Sequence, residues 1–210
     1  MRLLNVTRFM LHVQAIVALT LMVASASWAK EIGADDPERV VGHLQDSLIK
    51  TMQDGKRLGY RGRFELLAPV IEQSHDFDFI ARTILGAGWT DLNASQQHTF
   101  MDVFRKLSIG TYAGWFKSHA GERFEILEQQ AMPRDQIMVR SRLVLPKGNP
   151  VRFDYIMRRE KDGWRIVNIL ADGVSDLALK RTEYRAILQR DGFQTLVDML
   201  REKIALTEKE

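Results

Sequence analysis

A chain of 210 residues with 30 lysines and arginines against 27 acids carries a net charge of only +3, weak evidence for a polyanion partner such as nucleic acid. It contains no cysteine, which excludes a disulfide framework, a lipid-anchored cysteine and thiol chemistry. Its 45% of apolar residues suffice for one core without such staples.

Taken from the start, Arg2 and Arg8 precede an uncharged run from Phe9 to Val23 and then the small-residue stretch "ASASWAK". These are the three regions of a secretory signal, with cleavage predicted after Ala29 or Ala26. A transmembrane anchor is the competing reading. Against it, the apolar part is short, carries His12 and Gln14, and leads into small residues rather than a basic cluster. Loss of residues 1 to 29 removes two arginines and no acid, leaving a net charge of +1. The predicted address of the mature chain, 30 to 210, is the periplasm.

The next stretch, 36 to 54, opens with Asp36 as N-cap and Pro37 at the first helical position, and Val40, Val41, Leu44, Leu48 and Met52 recur at helical spacing. A second helical piece, around Phe64 to Gln73, is expected to be shortened or kinked by Pro69, and a third, "DFDFIARTILGAG", to end at Gly86 or Gly88. Asn93 or Ser95 then opens the strongest helix, carrying Phe100, Val103, Phe104, Leu107, Tyr112 and Trp115, with Gly121 as its stop.

At Glu122 the period changes to two, and four strands are predicted at about 123 to 131, 136 to 145, 150 to 159 and 163 to 171. Their separators, "MPRD", "PKGN" and "KDG", are hairpin turn signals, so the strands form an antiparallel meander. Helical spacing returns after Ser175, stops at Gly192 and resumes through "FQTLVDMLREKIA". Helices at about 36 to 121, a meander to about 172 and helices at about 175 to 206 indicate an α+β domain, a curved antiparallel sheet packed with a helical subdomain.

Alternation sorts each strand between two faces. One collects Val139, Ser141, Leu143 and Leu145, then Val151, Phe153, Tyr155 and Met157, then Trp164, Ile166, Asn168 and Leu170. It reads either as a core packed on the helices or, given the aromatic surface facing it, as one wall of an apolar pocket. The other collects Arg140, Arg142, Arg152, Asp154, Arg158 and Arg165. That face is either solvated or a docking surface for acidic headgroups or an acidic partner. In the last strand Val167 and Ile169 are apolar too, so it is central or covered by a helix.

Little in the chain carries catalysis. His43, His75, His98 and His119 have no helical partner histidine and no cysteine, so no metal site is predicted. The acids beside His75, Asp76 and Asp78, sit where a helix needs a cap. No Gly-x-Ser-x-Gly, Walker loop or dinucleotide fingerprint occurs, and "DGVS" at 172 to 175, with one glycine after a meander, is a poor phosphate loop. Asp172 and Tyr155 remain as the acid–base candidates.

Several residues together point to a family. Phe79-Ile80-Ala81-Arg82 with Leu85-Gly86 and Trp89, then Gly163-Trp164-Arg165, then the acid-Gly-Val-Ser turn leading to Tyr184, Arg185 and Ile187-Leu188 resemble the MlaC or toluene-tolerance auxiliary family of exported lipid-binding proteins. The resemblance runs from about residue 36 to 205, and Asp172 departs from it by standing where Glu is expected. It implies an NTF2-like sheet with a helical subdomain enclosing the acyl chains of a phospholipid. Its implied partners are an outer-membrane lipoprotein complex and an inner-membrane ABC transporter with an MCE-domain subunit. A related branch is associated with hopanoid biosynthesis, which leaves phospholipid and hopanoid-like ligands both open.

A carrier needs neither catalytic residue nor cofactor, and none is expected. Phe100, Phe104, Leu107, Tyr112, Leu143, Phe153, Tyr155, Met157 and Ile166 are the candidate tail contacts. Ser141, Tyr155 and Asn168 are candidates for the polar end, and Val174 and Leu177 for the pocket mouth. Two other readings compete: an enzyme on the same scaffold acting on an apolar substrate through Asp172 and Tyr155, and a ligand-free adaptor docking through its arginine face.

Overall fold

A computed structural model of the protein describes residues 36–209; the predicted signal segment and its cleavage point lie outside them. Asp36 caps α1 (Pro37–Gln53), its Oδ1 accepting from the Glu38 amide at 3.0 Å, with Pro37 in the first turn. Val41, Leu44, Leu48 and Met52 form the buried stripe of α1. The second helix, α2 (Gly55–Ser74), is longer than its apolar spacing suggests and is kinked at Gly59, not at Pro69. Pro69 lies on the exposed side, where water can take the carbonyl that the missing N–H leaves free. Then come α3 (Phe77–Leu85), α4 (Ala87–Asp91) and α5 (Ala94–Trp115), the last opened by a reciprocal capping box between Asn93 and Gln96.

The end of α5 corrects the expected stop at Gly121. Residues 117–120 are all exposed, so a further turn would bury nothing. Instead Phe116 turns inward to stack on Tyr112 at 6.0 Å and to meet Phe124 at 6.3 Å. The Ala113 carbonyl, orphaned in the last turn, accepts from Nε of the buried Arg63 at 2.7 Å.

The strands β1 (Arg123–Met132), β2 (Gln136–Val144), β3 (Val151–Glu160) and β4 (Gly163–Ala171) form the expected antiparallel meander, and a short β5 (Val174–Ser175) adds a fifth strand in sequence order. Asp172 and Gly173 make the two-residue turn into β5, both with positive φ (48° and 85°), as the Asp-Gly pair favours. Asp172 Oδ1 accepts from the Arg152 amide at 2.9 Å and holds the turn against β3. The free edge of β4 is also covered lower down, where the Asp76 amide donates to the Ile166 carbonyl at 3.0 Å. The chain ends in α6 (Asp176–Thr207), bent at Gly192.

Helices cover one face of the sheet, and Val139, Tyr155, Met157 and Ile166 on that face belong to one buried cluster with Leu44, Phe104, Tyr184 and Leu196. Strict alternation fails in β4. Met157 pairs with Ile166 but Ile156 with Asn168, so Val167 is the extra residue of a bulge, and beyond it every side chain changes face. Ile169 and Ala171, paired with Tyr155 and Phe153, therefore share the helix-covered face, and Leu170 leaves it.

A contact between distant segments joins α3 to α6. Arg185 Nε donates to the Ile84 carbonyl at 2.7 Å and its Nη2 to the Thr83 carbonyl at 2.8 Å, satisfying the last turn of α3. Gly86 sits beneath with φ 60°, and a Cβ there would lie 2.4 Å from the Arg185 guanidinium. Trp89 packs edge-on to Phe100 at 6.3 Å. Gly86, Trp89 and Arg185, three of the residues that carry the sequence resemblance, are thus parts of one structural clasp.

Candidate functional site

Between α5, the N-terminal turns of α6 and the bulged half of the sheet lies a cavity of about 240 Å³. Its helical wall is the stripe Phe104, Ser108, Thr111, Tyr112 and Trp115, spaced as one face of α5. The sheet supplies Phe153, Tyr155, Ile166, Ile169 and Ala171, and α3 supplies Phe77 and Ile80. At the mouth stand Trp115, Val174 and Leu179, exposed to 73%, 55% and 60%. Three large apolar side chains held in water around one opening form a patch that asks for an apolar guest or surface.

Of the residues expected on the cavity wall, Phe104, Tyr112, Phe153, Tyr155, Ile166, Asn168, Val174 and Leu177 lie on it. Phe100, Leu107, Ser141, Leu143 and Met157 do not. Phe100 is fully buried, stacked on Phe104 at 5.6 Å and turned toward Trp89. Leu107 is buried in the core on the flank of the stripe, and Met157 is sealed beneath the helices. Leu143 pairs with Phe124 at the far end of the sheet.

The expected polar handles are also occupied elsewhere. The Gln45 amide donates to Ser141 Oγ at 2.8 Å and to the Tyr155 hydroxyl at 3.4 Å, a buried network tying α1 to the sheet. Only the ring of Tyr155 is left to the cavity, and burial pushes its hydroxyl up to about 12. Asn168 Oδ1 accepts from Ser175 Oγ at 3.0 Å and the Leu177 amide at 3.3 Å, while Ser175 caps α6 by accepting from the Ala178 amide. Asn168 builds the helix start. Asp172, held by Arg152, does not line the cavity, so the acid–base pair suggested by sequence is not assembled.

The polar atoms that do face the cavity include a pair that periodicity missed. His75 is 9% exposed, with Nδ1 at 3.0 Å from the Ile71 carbonyl and 2.9 Å from Ser74 Oγ. A carbonyl only accepts, so Nδ1 carries the proton, and Nε2 accepts from the Tyr112 hydroxyl at 3.3 Å. The sole sequence signal was His75 at a helix junction beside two acids, and that pattern spoke for capping. Asp76 does cap α3, accepting from the Phe79 amide at 2.9 Å.

Burial holds His75 neutral and lowers its pKa to about 4, with the Ile71 hydrogen bond opposing. The unfolded value is near 6.5, so as pH falls the unfolded chain takes the proton first. Stability is expected to be full above about pH 6.5 and to lose up to about 3 kcal/mol on the way to pH 4. Urea titrations at pH 7 and 4.5 measure this loss, and His75→Gln is expected to flatten it; an equal loss in the variant assigns it to other groups.

The opposite face of the sheet is less cationic than its arginines suggest. Arg140 pairs with Glu128 and with Asp154, and Arg152 also pairs with Asp154. Arg142 pairs with Glu125, Arg158 with Glu160 and more loosely with Asp76, and Arg165 with Asp162. Each arginine named as a docking candidate meets an acid, several of them across strands, so the face is a charge-balanced ladder.

A family model described as MlaC protein matches residues 43–202. Among solved structures, the phospholipid-binding protein from Ralstonia solanacearum, in complex with a phospholipid, superposes with a TM-score of 0.73. It is 24% identical, over 82% of this chain and 98% of that one, a likeness of fold.

Proposed function

The chain belongs to the MlaC family, and from that premise we propose that it is a periplasmic lipid carrier whose cavity shields acyl chain from water. The observation that carries this reading is the apolar cavity ringed at its mouth by exposed Trp115, Val174 and Leu179. The Ralstonia solanacearum protein of the same fold was solved with a phospholipid, which supports the ligand class.

The energetics suit transport. An acyl chain of a dozen carbons gains on the order of 10 kcal/mol by leaving water, at about 0.8 kcal/mol per methylene. It therefore does not cross an aqueous gap unshielded at a useful rate. Passing between a bilayer and an apolar cavity changes its surroundings little, so loading and release are both near balance. The proposed route runs between an outer-membrane lipoprotein complex and an inner-membrane ABC transporter with an MCE-domain subunit.

The chain of residues 1–210, purified from the periplasm, is expected to carry lipid in stoichiometric amount by native mass spectrometry and organic extraction. Folded protein with nothing bound would leave an adaptor instead, and a chemically altered product an enzyme.

A further inference from the structure

The cavity mouth holds one pair of opposite charges. Lys180 and Asp176 both line it, one turn apart at the start of α6, and are ion-paired with each other. The Lys180 side chain is 22% exposed and that of Asp176 57%, although a lysine on a helix surface ordinarily keeps its ammonium in open water. His75 and Tyr112 line the same cavity as Asp176 and Lys180. The pair therefore shares the cavity with these polar side chains and with the exposed Trp115, Val174 and Leu179.

We propose that Lys180 and Asp176 form a headgroup site selecting a zwitterionic phospholipid, the ammonium of Lys180 taking the phosphate and the carboxylate of Asp176 taking the headgroup amine. This rests on the carrier reading and deepens it. A phosphodiester alone meets an ammonium that Asp176 already neutralises and is repelled by the carboxylate beside it. An ethanolamine headgroup gives each member of the pair an opposite charge, so the resident ion pair opens into two without leaving either charge unpartnered. The apolar depth below accepts the chain regardless of headgroup, so selection falls on these two side chains.

The test uses lipid-stripped wild-type protein, Asp176→Asn and Lys180→Gln, each incubated with vesicles of equimolar phosphatidylethanolamine and phosphatidylglycerol. Bound lipid is read by mass spectrometry and folding by thermal melting. Wild type is expected to enrich phosphatidylethanolamine about fivefold, the worth of one favourable exposed charge contact. Asp176→Asn is expected to reverse the preference toward phosphatidylglycerol, and Lys180→Gln to lower uptake of both. Equal lipid ratios in wild type and Asp176→Asn, with lipid bound to both, overturn the headgroup site and leave the carrier standing. No lipid on folded wild type removes the carrier reading and this one with it.

Discussion

Ile169→Glu is expected to give a folded protein that is purified without lipid. Ile169 lies on the cavity wall beyond the β4 bulge, paired with Tyr155 and only partly buried. In the empty protein a carboxylate there reaches water through the mouth, so the fold survives. Against an acyl chain the same carboxylate is an unpaired charge in an apolar setting, which costs at least about 3 kcal/mol. Affinity is expected to drop about a hundredfold. Extraction of variant and wild type purified side by side, with circular dichroism as the check on folding, measures this. A lipid-loaded Ile169→Glu protein would remove the cavity from the mechanism.

Phe100→Ala has the opposite profile. Phe100 is fully buried between Phe104 and Trp89 and does not line the cavity. Its truncation removes a large apolar surface and leaves a void near the clasp of α3, α4 and α6, for which about 3–5 kcal/mol of stability is the expected loss. That is a large part of the 5–15 kcal/mol typical of a domain. Urea denaturation measures the loss, and protein still folded at low temperature is expected to retain its lipid. A stable Phe100→Ala variant that has lost its lipid would put Phe100 on the cavity wall after all.

These two residues also show how much of the site was legible in the sequence. Phe100 and Phe104 are both apolar and both on the inner face of α5, so helical spacing nominates them together. Which of them meets the core and which the cavity depends on how α5 is rotated against its neighbours, and spacing does not encode that. Ile169 shows the converse: strict alternation points Asn168 and Leu170 inward in its place. A single bulge at Val167 reverses the phase. His75 escaped notice because its partners, Ile71, Ser74 and Tyr112, make sense only once α2 and α5 are packed together.

What the sequence by itself determined are the features set by neighbours along the chain. Asp36, Asn93 and Ser175 cap their helices, the turn signals separate the strands, Gly192 breaks α6, and Asp172-Gly173 turns the chain into β5. Each depends on backbone geometry or hydrogen bonds within a few residues, so local residue types suffice. Tertiary structure alone decided the face of α5 that borders the cavity, the shift of register in β4, the acids that neutralise Arg140, Arg142 and Arg152, and the capture of the α3 carbonyls by Arg185. Those rest on pairings between segments as many as a hundred residues apart, where the register of one partner is fixed only by the packing of the other.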